Sequence, residues 1–431
     1  MLLRPTNLLL WLAALGLSVT RLTLAGASPL NTSALLVLVR EIAICGTAVL
    51  AVSLASDRLY FGFWTFPPYK WLYFNISQSL AVFYGHMPWH YYLSQGVPLL
   101  TTTFLPFALV GLYKATASAS GPLVLQSNTL RALALATLTM LAVLSLVAHK
   151  EVRFIYPLLP LLHILAAPYI TTFFTTTTPS PASHQQQPTT LRHKPALATI
   201  LTLNLLLAGY LSLFHQPAPI SVLTFLRNSF ETLHPTALSI TSPPPHSTTS
   251  NPKLEQQNDL ELFALFLTPC HTTPWRSHLV YPALRARALT CEPPLDTEPG
   301  SAEREGYLDE ADRFYLPSLT NTDGDGKEEY GVEFLAEEIW PLVESSEGTK
   351  GGMKRGGEVP RYIVGFQGIE PVLQKFFGTG ARDGKEEAPG QGMGVRLTRV
   401  WAGWNGAFNE DWRRRGRLVV WDTGVYGKDE S

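Results

Sequence analysis

The sequence predicts a membrane all-α multispan bundle followed by a C-terminal α+β domain. Three observations carry this. Charged residues make up 16% of the 431 residues, against roughly a quarter in a soluble domain. The deficit lies in residues 1–215, whose acids are Glu41, Asp57 and Glu151, whereas residues 254–431 are rich in Asp, Glu, Arg, Lys and Gly. Six apolar runs of about 20 residues, the length of a bilayer span, lie in the first half. The second half carries short apolar strings of strand character.

The runs, in order, are about 7–26, 33–56, 97–113, 130–148, 154–174 and 196–214. The second contains Arg40 and Glu41, which pair as neighbours in a setting where an unpaired charge costs ~2.5–3.5 kcal/mol. The first is long and lacks a clear cleavage site, so it is taken as a span. Segments 114–131 and 175–195 carry Lys114, Arg131, Arg192 and Lys194 and no acid. The positive-inside rule puts both in the cytosol. Parity then turns loop 57–96, loop 149–153 and everything after about 215 to the lumen. Of the sequons at Asn31 and Asn75, only Asn75 falls on that side.

The expected organisation is a bundle over 1–214, a linker over 215–256 and a luminal domain over 257–431. Connector 176–194 is of low complexity and expected to be disordered. Gly- and charge-rich stretches at 320–359 and 379–394 are expected to be disordered loop insertions. Strings such as "RYIVGF" and "RLVVWD" are the expected strands. The net charge of -1 gives no reason to expect nucleic-acid binding. Cys45 lies in an apolar run and is expected to be an inert core thiol. Cys270 and Cys291 are two free thiols or a disulfide, the latter favoured in an oxidising lumen.

Fourteen of the residues from Tyr60 to Tyr92 are aromatic. An interfacial belt explains much of this, since Trp and Tyr favour the headgroup level. A belt alone does not need His86, Trp89 and His90 beside Gly85 and Pro88. Aromatic faces with polar tips suit a groove for a lipid chain and a sugar. Tyr84, His86, Trp89, His90 and Gln95 are its candidates.

Between two spans stands "HKEVR", His149 to Arg153. Basic residues near a span end commonly snorkel to the interface. These cations face the lumen, against the usual bias, and arrive with a His and a Glu. Lys, Arg and His together make a cradle for a phosphate through charge-assisted hydrogen bonds. His149, Lys150, Glu151 and Arg153 are the phosphate-site candidates, Glu151 orienting one of the cations.

"HKEVRFIYPLLPLL" resembles the His-Lys-Glu signature of family 22 glycosyltransferases. "FNISQSLAVFYGHMPWHYYLSQGVPLL", "LTPCHTTPWRSH", "LTCEPP", "DEADRFY" and "FNEDWRRRGRLVVWDT" narrow the resemblance to the branch that builds glycosylphosphatidylinositol (GPI) anchors. The resemblance implies a C-superfamily glycosyltransferase fold in the endoplasmic-reticulum membrane. It implies dolichyl-phosphate-mannose as donor, a GPI precursor bearing two mannoses as acceptor, and an α-1,2 linkage formed with inversion. Membrane lipid surrounds both substrates. A donor with one phosphate does not by itself call for a bridging metal, and neither a metal nor a cofactor is expected. The family's first luminal loop carries an acidic pair that supplies the presumed base. Nothing in this sequence matches it, so a missing N-terminal span and loop are expected and the catalytic residue is left unknown. Two alternatives stay open: an inactive or donor-binding module, and a sister mannosyltransferase of N-glycan assembly.

Overall fold

The structure is a computed structural model. It describes residues 6–20, 31–117, 125–177, 189–235, 262–316, 327–344, 353–378, 388–407 and 411–426. The chain divides into two compact units, Met1–Leu207 with Leu295–Ser301, and Ala208–Pro294 with Ala302–Ser431.

The first unit is helical. Five stretches are long and apolar enough to cross a membrane: Thr32–Phe61, Tyr92–Ala117, Asn128–Leu146, Val152–Phe174 and Lys194–Phe214. Six spans were expected. The first of them appears as α1 (Asn7–Thr20), of 14 residues, about 21 Å at 1.5 Å per residue. That is short of a hydrocarbon core of ~30 Å; residues 21–30 of that expected span lie outside the described residues. Helix α2 (Thr32–Phe61) has Asn31 as its N-cap and Gly62, at φ 76°, as its C-cap. It buries none of its residues in the protein. Cys45 is therefore exposed on an apolar helix surface rather than packed in a core. Arg40 donates to Glu41 at 2.7 Å on the same helix, as a neighbouring pair inside a span requires.

Short helix α3 (Pro67–Leu72) opens the aromatic segment. The next span is composite: a wide turn over Tyr92–Gly96, α4 (Val97–Thr101), a tight turn over Thr102–Phe104, then α5 (Leu105–Ala117). Thr102 sits at φ 47°, a conformation uncommon outside glycine. Next to this break, Thr103 Oγ1 donates to Asn204 Oδ1 at 3.1 Å. Such polar ties between spans offset the loss of water in the hydrocarbon core. Helices α6 (Leu125–Leu146) and α7 (Leu159–Phe174) complete the core, with α1 lying along α6 and α5 along α7. Tyr92, Ala108, Met140, Ile155, Leu158 and Leu162 are fully buried there.

Gly111 sets the α5–α7 approach. A Cβ at this position would fall on the Leu165 carbonyl group, so the two backbones meet where no side chain intervenes. Gly111→Ala is expected to destabilise the bundle by about 1–3 kcal/mol, the usual cost of overpacking. A thermal melt of the purified protein in detergent checks this; an unchanged melt would mean the helices part without cost.

The connector expected to be disordered at 176–194 is partly ordered. β1 (Thr175–Thr177) pairs antiparallel with β2 (Thr189–Leu191), because three threonines on one side and two on the other supply β-branched residues that suit a pleated ladder. Residues 178–188 lie outside the described residues. Helix α8 (Lys194–Gly209) then begins the last span.

The second unit is built on a five-stranded mixed sheet. Its strands are β3 (Leu262–Leu267), β4 (Leu284–Ala288), β7 (Tyr362–Phe366), β8 (Thr398–Gly403) and β9 (Leu418–Asp422), in the order β4-β3-β7-β9-β8. A separate hairpin pairs β5 (Leu342–Glu344) with β6 (Met353–Arg355). β3 runs parallel to β4 and β7, while β9 runs antiparallel to β7 and β8. Alternate residues of the central strands point to opposite faces, and both faces are covered. Leu265, Ile363, Val419 and Trp421 enter one core. Phe266, Val364, Phe366 and Val420 enter the other.

Three further segments differ from expectation. Residues 215–256, taken as a linker, begin with helix α9 (Ala218–Leu233). Its Ala218, Val222, Leu223, Leu226 and Phe230 recur at helical spacing and are buried against the sheet. Residues 236–256 of that linker are outside the described residues. The charged stretch 320–359, taken as a disordered insertion, carries helical turns from Lys327 to Ile339. There Val332, Phe334, Leu335, Ile339 and Trp340 fill the other core. Charged residues occupy the outer face and made the segment look solvated. Part of the 379–394 stretch is ordered as well, with Ala388 buried and a tight turn at Gln391–Met393. Residues 379–387 fall outside the described residues.

Candidate functional site

The site is a clasp between two segments over 60 residues apart in sequence. One is the turn from Val147 to Glu151, between α6 and the helical turn Val152–Leu158. The other is Gly85–Met87, in the aromatic loop. The Met87 N–H donates to the Ala148 carbonyl at 3.1 Å, which fixes the two backbones together.

Lys150 is 3% exposed. Its ammonium donates to the carbonyls of Met87 at 3.0 Å and Val147 at 2.5 Å. Val147 directly follows the last residue of α6. Carbonyls at a helix C-terminus lack intrahelical partners and carry partial negative charge, so they draw a cation. The sequence reading aimed Lys150 at a phosphate; the structure turns it onto backbone oxygens for this reason. Burial also lowers the pKa of its ammonium.

His149 bridges. Its Nδ1 lies 2.9 Å from the Gly85 carbonyl and its Nε2 lies 3.0 Å from Glu151 Oε1. Both partners are acceptors, so both bonds exist together only when the ring carries two protons. Gly85 stands at φ 131°, a conformation that glycine reaches without steric cost and from which its carbonyl meets the ring. Glu151 also accepts from Arg153 Nη2 at 2.7 Å, and Arg153 Nε closes a second ion-pair contact on the other carboxylate oxygen. Burial pushes the Glu151 carboxyl up, but the Arg153 and His149 hydrogen bonds and charges outweigh it. The net effect holds the carboxyl below its ordinary value.

A depressed carboxylate stabilises the fold above its unfolded pKa of about 4.3, and that stability is lost as pH falls through the lower folded value. The bundle is therefore expected to lose melting temperature below about pH 4.5, with a shallower acid loss in Glu151→Gln. Superimposable acid curves would show that the carboxylate is not linked to folding.

Arg153 is the outward-facing cation of the motif, its side chain 65% exposed. The groove candidates form a second group. Trp89 is 69% exposed and packs edge-on against His90 at 5.6 Å. His90 Nδ1 lies 3.1 Å from Ser94 Oγ. Tyr84 and Gln95 are exposed, and the exposed His86 sits between Gly85 and Met87. Sequence reasoning missed three supports. Gly85 and Met87 act through their carbonyls, and a side-chain motif gives no sign of that. Tyr92, counted only as one of the aromatic run, is fully buried, and a Cβ on Gly96 would stand 2.9 Å from its ring.

In the second unit Cys270 and Cys291 form a disulfide, with Cα atoms 5.8 Å apart. The Cys270 carbonyl accepts from Arg414 at 2.6 Å.

The apolar helices of the first unit and the sheet of the second define a multispan membrane protein with a sheet-containing C-terminal region. The chain belongs to the Alg9-like mannosyltransferase family, whose model matches residues 1–280. It is 50% identical over 426 residues to GPI mannosyltransferase 3 of Gibberella zeae, covering 98% of this chain and 63% of that protein. It is 40% identical over 435 residues to GPI mannosyltransferase 3 of Aspergillus fumigatus, covering 97% and 50%. A human relative, GPI alpha-1,2-mannosyltransferase 3, is 33% identical over 274 residues, covering 64% of this chain and 39% of the relative. The chain thus spans between half and under two thirds of the length of the two fungal relatives. No solved structure matches it.

Proposed function

We propose that this protein transfers mannose in α-1,2 linkage, as the third mannose, from dolichyl-phosphate-mannose to a GPI precursor. The transfer takes place at the luminal face of the endoplasmic-reticulum membrane. The 50% identity over 98% of the chain to a GPI mannosyltransferase 3 carries the reading. The luminal orientation rests on the basic segments holding Lys114, Arg131, Arg192 and Lys194, which the positive-inside rule assigns to the cytosol.

In this reading the acceptor hydroxyl attacks the anomeric carbon of the donor, and the bond from that carbon to the lipid phosphate breaks. The bonding pair leaves with the phosphate, which gains charge and is stabilised by a nearby cation. The exposure of Arg153 supports it as that cation. Lys150 and His149 act through position: they hold the turn and the Gly85–Met87 strip in one piece. Glu151 aims Arg153 and, held by hydrogen bonds from Arg153 and His149 that keep its carboxyl below the ordinary value, is a poor base for the acceptor proton. The exposed Trp89–His90 pair offers an apolar face and a polar tip to a glycolipid.

Membranes containing the protein, given labelled donor and equal amounts of two-mannose GPI precursor and N-glycan lipid-linked oligosaccharide, are expected to label the GPI precursor. Preferential labelling of the oligosaccharide would assign the chain to N-glycan assembly instead.

A further inference from the structure

The second unit holds a group that mannosyl transfer does not use. Asp309 is 4% exposed. Its Oδ1 accepts from the Asp312 N–H at 2.7 Å. Its Oδ2 lies 3.3 Å from the sulfur of Cys270, which is bonded to Cys291. A disulfide sulfur has no proton and can only accept. The close contact is therefore attractive when the carboxyl supplies an O–H, and repulsive when it is ionised.

The surroundings favour the protonated form. Burial pushes the Asp309 carboxyl up; the bond from the Asp312 N–H opposes this, the Asp312 charge adds to it, and Arg413 opposes it, with a net rise. Tyr307 also faces Asp309. Arg413 is drawn away by Asp312 at 2.7 Å and Asp411 at 2.9 Å, and Arg414 is held by the Cys270 carbonyl. The two sulfurs and an Asp309 oxygen lie within 4.8 Å of one another. The sulfurs are spent on each other, so the group is arranged for proton and electron transfer rather than for a cation. Both cysteines are partly exposed and open to attack by a small thiol.

We propose that Cys270, Cys291 and Asp309 form a thiol–disulfide exchange site that accepts two electrons from a dithiol, with Asp309 as the proton group for Cys270. The thiolate of the dithiol attacks Cys291 Sγ. The bond between the cysteine sulfurs breaks, its electron pair passes to Cys270, and the Asp309 O–H protonates the departing sulfur. The second thiolate of the reductant then displaces Cys291, leaving a cyclic disulfide and a free Cys291. In the reverse direction the Asp309 carboxylate takes the proton from Cys270 and frees its thiolate for attack. Reduction unties the Cys270 loop from Cys291.

The test uses the full chain in detergent with Cys45 alkylated beforehand. Reduction by dithiothreitol is followed as newly alkylatable thiols by mass, and each rate is divided by the concentration of reductant thiolate. The expected wild-type rate falls as pH rises through the Asp309 titration. Asp309→Asn keeps the acceptor for the Asp312 N–H but has no acidic proton. It is expected to be at least about tenfold slower at low pH, the scale of positioned acid catalysis, with a flat profile and an unchanged melt. A variant rate equal to wild type at every pH would overturn the proposal. So would a bridge that opens only in denaturant.

Discussion

Lys150→Met is expected to loosen the clasp and abolish most mannosyl transfer. Methionine matches the length of the lysine stem but leaves the carbonyls of Met87 and Val147 without their donor inside the protein. Hydrogen bonds to a charged group contribute roughly 1.5–3 kcal/mol each, and a buried acceptor left unpaired adds its own desolvation cost. Two bonds are lost, so about 3–6 kcal/mol of local stability is at stake. Because the Met87 tie to Ala148 and the His149 tie to Gly85 remain, the loss is expected to appear first as opening of the aromatic loop. Limited proteolysis in the 63–90 region, compared with the melt of the whole protein, measures this. A variant as resistant as wild type would show that the buried ammonium is dispensable.

Arg153→Ala is expected to do the opposite: leave the fold intact and remove activity. Its guanidinium is exposed and bonded to Glu151, and exposed ion pairs contribute little to stability. If it meets the leaving phosphate, its removal costs on the order of a hundredfold in turnover, as for loss of one preorganised donor to a developing anion. Arg153→Lys keeps the charge but not the planar fork that fits two phosphate oxygens, and is expected to recover only part. Steady-state transfer against donor concentration, alongside thermal melts, separates this variant from Lys150→Met. Wild-type turnover in Arg153→Ala would remove the phosphate role.

These variants bear on how much was legible before folding. Spans were legible because a bilayer demands continuous apolar runs, and five of the runs appear as helices of sufficient length. The sheet was legible in "RYIVGF" and "RLVVWD", which became the adjacent strands β7 and β9. Helix α9 escaped notice because its five buried residues stand in a stretch dominated by Pro, Ser and Thr. The Trp340 region escaped because its acids are interleaved with its apolar residues in sequence, and Glu333, Glu337 and Glu338 face away from the core.

For the site, the motif at 149–153 announced itself by charge between two apolar runs. The roles within it did not. Lys150 and Arg153 are both basic, yet one is buried on carbonyls and the other is exposed. The difference is made by α6 ending at Leu146 and by the Gly85–Met87 strip returning beside it. A side-chain motif hides both, since the partners are backbone carbonyls, one of them three residues away and the other more than 60.

The most direct test of the central claim is transfer itself. This chain, produced in membranes depleted of their own third-mannose activity, is supplied with labelled dolichyl-phosphate-mannose and a two-mannose GPI precursor. The expected result is a three-mannose product in α-1,2 linkage, released by an α-1,2-specific mannosidase and lost in Arg153→Ala. Absence of that product from the unaltered chain, with the protein present and folded in the membrane, would contradict it.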